Sequence, residues 1–299
     1  MINLFLYTAV VMIWGSSWIM VSFQVGVVPP EVSVAYRIAI ASALMFLWAI
    51  AVRQPLRRSI RDHGFMALQG ALIFSTNFFL LYSAASYLTT GIISVVFSTA
   101  SAMTLAIRTA FMGHRPDLRA ICGAFLGIMG VGILFWPQVA GFALRTGAGM
   151  GLLLSLGGTL SFSLGSIISA RNQSAGVSGP GCIAWAMGYG ALLLCVLAFS
   201  KGHRFLFDPR GPYVMSLLYL ALIGSVIGFA AYFALLKRID AERAAYATVL
   251  FPVVALLLST LFEGYHWTAT AIAGVAVTLA GNGLVLRSAP NKHKAIQKN

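Results

Sequence analysis

A chain of 299 residues that is 59% hydrophobic and only 9% charged cannot cover a water-facing surface, because soluble domains carry about a quarter charged residues. Its cysteines, Cys122, Cys182 and Cys195, fall inside apolar runs without pairing logic or metal-ligand spacing and read as small core residues. The net charge of +13 would suit nucleic acid if it were clustered, but the basic residues sit at the ends of apolar runs, where they act as topology signals.

A membrane-crossing helix needs about 20 mostly apolar residues. Helices are the default because open strand edges cannot be satisfied in lipid. The expected fold is therefore all-α and integral to the membrane, with ten transmembrane helices. The first, Leu4–Phe23, has no basic region before it and no small-residue cleavage site after it, and is read as a retained span. Trp14 and Trp18 lie one turn apart on it, with Ser17 beside Trp18. Tryptophans usually sit at the membrane interface; these are near mid-span and predict the aromatic wall of a cavity. The second span, Ser33–Val52, has Arg37 near its start. The third, Phe65–Ser83, sets Ser75, Phe78, Tyr82 and Ser86 on one stripe with Asn77 off it. An amide or phenol at this depth needs a partner on a neighbouring helix or on a substrate.

The fourth span, Thr90–Thr109, repeats Ser94, Ser98, Ser101 and Arg108 on one face. Such a row suits a water-filled path, and equally the close packing that small hydroxyl residues allow; Arg108 is expected as an interfacial anchor. Span five, Ala120–Trp136, aligns Gly123, Gly127 and Gly130. Span six, Gly149–Ala170, aligns Ser155, Thr159, Phe162 and Ser166. Span seven is Gly181–Ser200 and span eight Tyr213–Leu236. Span nine, Ala245–Phe262, carries Tyr246, Phe251 and Pro252; a proline there removes a backbone donor and makes a candidate hinge. Span ten, Trp267–Leu286, aligns Gly274, Thr278 and Gly281. The glycine faces of spans five and ten are read as packing surfaces.

Basic residues concentrate on the cytoplasmic side of membrane proteins. Arg53, Arg57, Arg58, Arg61, Arg108, Arg115, Arg119, Arg171, Lys237, Arg238, Arg243, Arg287, Lys292, Lys294 and Lys298 fall on one side, 15 of the 20 Lys and Arg. Both ends of the chain are then cytoplasmic. The loop Lys201–Arg210 is basic yet predicted to lie outside.

The string ALIFSTNFFLLYSAA at Ala71–Ala85 is echoed by ALIGSVIGFAAYFAL at Ala221–Leu235. Gly15-Ser16 answers Gly165-Ser166, Ala35-Tyr36 answers Ala184-Trp185, and Gly123, Gly130 and Gly132 answer Gly274, Gly281 and Gly283, all at an offset near 150. One five-helix unit used twice must start its second copy from the opposite side. That predicts inverted repeats at residues 1–145 and 146–287, followed by a basic cytoplasmic tail at 288–299, and with them alternating access.

WGSSW at Trp14–Trp18, IDAERAAYATVLFPVVALLLSTLFEG at Ile239–Gly264 and GVAVTLAGNGLVL at Gly274–Leu286 resemble the drug/metabolite transporter superfamily in its EamA-domain branch. The resemblance covers nearly the whole chain. Ser101 stands where Pro252 stands and Met112 where Glu263 stands, so the first half departs from the pattern. Length and aromatic-lined spans look most like bacterial aromatic amino acid exporters of the inner (plasma) membrane.

The expected substrate site comprises Trp14, Ser17, Trp18, Asn77, Phe78, Tyr82, Ser94, Ser98, Ser101, Thr159, Phe162, Tyr246 and Phe251, with Pro252 as hinge. The spans hold no deep acid or histidine, so facilitated export is expected rather than the proton coupling that intramembrane carboxylates support. Aromatic rings with serine and asparagine suit amino acids with apolar side chains, methionine included. A small-multidrug-type, proton-coupled exporter of cations is the rival, since aromatic faces attract cations. No HExxH, no nucleophile–base pair and no phosphate-cradling loop is present, so an enzyme is not expected. Neither a cofactor nor a nucleic-acid partner is expected; the partners are the lipid bilayer and a small molecule, and a monomer suffices.

Overall fold

The computed structural model describes residues 2–113, 116–136, 147–236, 238 and 247–287. Tyr246, the tail from residue 288 and several of the orienting basic residues lie outside them.

Helix α1 (Ile2–Ser22) is followed by α2 (Pro30–Ala51), which begins with proline in its first turn, a position where the missing N–H has no helical partner anyway. α3 (Ile60–Ala84) starts on Ser59, whose hydroxyl accepts from the Asp62 N–H. α4 (Thr90–Met112) precedes α5 (Leu118–Leu134), whose first turn is capped by Asp117. α6 (Gly147–Ser174), α7 (Pro180–Ser200), α8 (Gly211–Leu218 continuing to Leu236), α9 (Ala247–Phe262) and α10 (Ala269–Arg287) complete the order. Eight of these helices are long and apolar enough to cross a membrane, while Leu118–Leu134 and Val249–Phe262 are shorter apolar helices. No strand occurs among the described residues.

The doubled strings share a backbone peculiarity. α3 widens to π-helix over Gly70–Asn77, and α8 does so over Tyr219–Ile227. Such insertions are rare and concentrate where function needs a helix locally re-aimed.

Pairings also match between the halves. α3 packs on α6 and α7, and α8 on α1 and α2; α6 packs on α4, and α1 on α9. Two further pairs join corresponding helices, α2 with α7 and α5 with α10. The α2–α7 contact forms the main core: Val34, Ile38, Ala41 and Met45 meet Ile183, Ala184, Met187 and Leu194. Ser42 ties it with a 2.9 Å bond to the Ala184 carbonyl.

α5 and α10 meet glycine to glycine. A Cβ added to Gly123 would lie 2.6 Å from the Gly281 oxygen, and one added to Gly274 would lie 2.7 Å from the Gly130 oxygen. The two predicted packing faces therefore pack on each other, backbone against backbone.

The basic loop after α7 is neutralised locally. Lys201 and the Nδ1 of His203 lie 3.1 and 2.8 Å from the buried Glu31 carboxylate. Arg210 forks onto Asp208 and donates its backbone N–H to the same carboxylate. Those donors hold the Asp208 carboxyl below its ordinary range.

Candidate functional site

A cavity of about 800 Å³ is lined chiefly by α1, α3, α4 and α8, with one or two residues from each of the other helices, Arg37 of α2, Phe162 of α6 and Phe251 of α9 among them. Its wall along α4 runs from Thr90 to Arg108, about 27 Å at the usual helical rise of about 1.5 Å per residue. Arg108 and Asp117 at one end are exposed. Arg37, Asn77, Tyr82 and Thr90 at the other are buried. The cavity is thus a blind pocket with its mouth beside the α4–α5 connection.

Four helices contribute rings at mid-depth. The Trp18 ring from α1 lies 5.4 Å from Phe97 of α4 and 6.2 Å from Phe251 of α9, and Phe97 lies 4.8 Å from Phe162 of α6. Centroid spacings of this size are the preferred aromatic contacts. Trp14, one turn before Trp18, packs 5.1 Å from Tyr232 and 5.9 Å from Phe229 of α8.

Of the expected site residues, Trp14, Ser17, Trp18, Asn77, Phe78, Tyr82, Ser98, Ser101, Phe162 and Phe251 line this one cavity. Ser94 and Thr159 do not. Both are fully buried, and their hydroxyls turn back onto their own helices, Ser94 to the Gly91 carbonyl at 2.6 Å and Thr159 to the Ser155 carbonyl at 2.7 Å. Hydroxyls satisfied this way need no other partner and can sit in a packed interface. Tyr246 lies outside the described residues.

The serine face of α4 has a further occupant. Asn282 of α10 donates from Nδ2 to Ser98 Oγ at 2.8 Å, and Ser101 makes a long 3.5 Å contact to its Oδ1. Between these serines α4 is interrupted: Thr99 is a turn residue (ψ −1°) separating Thr90–Ser98 from Ala100–Met112. α9, by contrast, is unbroken through Pro252. The proline only withholds a donor from the carbonyl four residues earlier.

Sequence reasoning missed four groups. Phe97 sits one residue off the serine stripe, yet closes the aromatic ring. Asn282 was hidden in a helix whose glycines suggested packing alone. Glu263 accepts from the Thr90 N–H at 3.0 and 3.1 Å and from the Thr90 hydroxyl at 2.8 Å. It is therefore the acceptor at the start of α4, where unpaired N–H groups favour an anion. Arg37, expected near the membrane surface, is instead 6% exposed and lines the cavity. It donates from Nη1 to the Tyr82 hydroxyl at 3.1 Å, and its guanidinium lies 4.4 Å from the Phe78 ring centre. A lone basic residue one-third of the way along an apolar run was the signal that could have found it.

An all-helical bundle that encloses a blind, aromatic-walled cavity within apolar helices has the form of a membrane transporter. The chain belongs to the EamA-like transporter family, which it matches over residues 1–136 and 149–287. Among its relatives, an "Uncharacterized transporter YvbV" of Bacillus subtilis (strain 168) is 24% identical over 97% of this chain and 93% of its own. A "Probable amino-acid metabolite efflux pump" of Salmonella typhimurium is also 24% identical, over 93% and 92%. The "Uncharacterized inner membrane transporter YedA" of Escherichia coli (strain K12) is 26% identical over 93% and 90%. A crystal structure of a protein 17% identical in sequence aligns over 99% of both chains with a TM-score of 0.66, which speaks to fold alone.

Proposed function

We propose that this transporter exports amino acids with aromatic and other apolar side chains, such as methionine, across the inner membrane by alternating access. In this reading ten spans form two inverted five-helix repeats, residues 1–145 and 146–287, with both termini and the tail 288–299 in the cytoplasm. The matched helix pairings and the π stretches at equivalent places in α3 and α8 support the repeat. The mouth beside Arg108 then faces the cytoplasm, as an exporter loading substrate requires. The 24% identical relative named as an amino-acid metabolite efflux pump and the relative named as an inner membrane transporter agree with this.

The aromatic enclosure formed by Trp18, Phe97, Phe162 and Phe251 carries the reading. It offers an apolar side chain a desolvated site between elements of both halves. The candidate hinge at Pro252 neighbours Phe251, so movement of α9 would open or close this ring. Transport is facilitative in this proposal. Asp117, the acid lining the cavity, lies at its exposed mouth and caps α5 through a 2.8 Å bond from the Ala120 N–H. Glu263 is engaged at the start of α4. Neither is a buried carboxylate poised for proton coupling, which a small-multidrug-type cation exporter would need.

Counterflow in proteoliposomes tests this. Labelled phenylalanine, tryptophan and methionine should exchange, with no dependence on an imposed pH gradient. Flux of aromatic cations without flux of amino acids would overturn the reading.

A further inference from the structure

Within that proposed function, we infer that Arg37 is the subsite for the substrate's carboxylate. Arg37 enters the blind end of the cavity from α2 and is only 6% exposed. A guanidinium cannot shed its charge by deprotonation at any ordinary pH, and burying a cation without a counter-charge is strongly unfavourable. Among the described residues no carboxylate pairs with it; the four ion pairs are Arg171–Asp62, Lys201–Glu31, His203–Glu31 and Arg210–Asp208.

What Arg37 does have is positioning. Tyr82 accepts from Nη1, and Phe78 lies beneath the guanidinium plane, an aromatic contact that favours a cation. Its Nε–H is left without a partner. A buried donor is rarely left unpaired unless something else completes it. One edge of the guanidinium is therefore held by α3, while another donor of this cavity-lining residue is buried and unpaired. A carboxylate is the group whose charge and planar geometry match such an edge.

A second buried, unpartnered atom belongs to another residue that lines the cavity. Asn77, adjacent in sequence to Phe78 and 2% exposed, donates from Nδ2 to the Ile73 carbonyl at 3.1 Å, while its Oδ1 has no partner. That acceptor suits an N–H of the same ligand. The carboxylate at Arg37 and a side chain among Trp18, Phe97 and Phe162 would then orient a molecule along the cavity, charged end innermost.

The test compares phenylalanine with phenylalaninamide, which has the same ring and ammonium but no carboxylate. Binding is measured in detergent by quenching of intrinsic tryptophan fluorescence, and transport by counterflow, for the full-length wild type, Arg37→Gln and Arg37→Lys. The wild type should prefer phenylalanine by roughly tenfold or more. Arg37→Gln should bring that ratio close to one, and Arg37→Lys, which keeps the charge but not the planar fork, should fall between. A purely structural arginine would change stability and leave the ratio intact. A wild type that carries phenylalanine while Arg37→Gln keeps the preference would overturn this inference and leave the proposed function standing. A wild type indifferent to the amide substitution overturns it without any variant. A wild type that binds and carries neither compound removes both readings.

Discussion

The α5–α10 seam and the cavity wall draw on the same stock of apolar helices but solve opposite problems. At the seam, glycines bring backbones so close that no side chain fits between them, and the gain is dispersion and packing in a solvent that supplies no hydrophobic drive between helices. Around the cavity, Trp18, Phe97, Phe162 and Phe251, from α1, α4, α6 and α9, meet ring to ring instead. The seam's contacts are backbone on backbone; the wall's are ring on ring. The difference teaches that the same stock of apolar helices packs backbone to backbone where glycines align and ring to ring where aromatic residues do. α4 and α9 also differ in their backbones: one is interrupted at Thr99 beneath a serine face, the other runs unbroken through Pro252.

The contrast is broken most severely at the seam. Gly130→Leu or Gly274→Val places a side chain inside the partner backbone, and overpacking typically costs about 1–3 kcal/mol and occasionally more. The expected result is a large loss of monodisperse protein on size-exclusion chromatography and a lowered melting temperature, with normal substrate affinity in whatever remains folded.

The wall should behave the other way round. Trp18→Ala and Phe97→Ala should cut phenylalanine counterflow by up to about tenfold, since a ring–ring contact contributes about 0.5–1.5 kcal/mol beyond its burial, while the yield of folded protein holds. Full flux in both variants would remove the aromatic ring from the proposed site.

Glu263 sharpens the comparison because it joins α9 to the start of α4. Glu263→Ala should destabilise the protein by about 1 kcal/mol, the usual cost of a lost cap. Glu263→Gln, which keeps an acceptor for the Thr90 N–H, should melt close to the wild type and retain flux. Loss of a pH-driven component of transport in Glu263→Gln would show that this carboxylate carries protons.

The smallest effect is expected at the loop after α7. Arg210 depresses the Asp208 carboxyl, so the stabilisation is present above the ordinary carboxylate pKa of about 4, and fades as pH falls through the depressed value. Asp208→Asn should therefore lower the melting temperature slightly at pH 7, lose that difference in strong acid, and leave flux unchanged.

Much of this was legible in the chain itself. Long apolar runs bounded by charge show where helices lie, and their ends differ from expectation by a few residues, as with α3, which begins at Ile60. The glycine rows of spans five and ten foretold packing faces. Trp14, Trp18, Asn77, Tyr82, Phe162 and Phe251 were legible as cavity candidates because bulky rings and polar groups near mid-span are costly unless used. Ser94 and Thr159 were not separable from Ser98 and Ser101, because the hydroxyls of Ser94 and Ser98 alike bond back to their own helix, and only packing decides which of them lines the cavity.

Sequence alone determined the solvent and the helical class: hydropathy and charge placement are properties of the linear chain, and lipid leaves the backbone no other way to pair its polar groups. Only the tertiary structure decided that Phe97 closes the aromatic ring, that Glu263 serves the N–H of Thr90, and that Arg37 reaches the blind end of the cavity. Each of those depends on which helix lies opposite, and side-chain partners across a bundle are set by three-dimensional packing that no local pattern encodes.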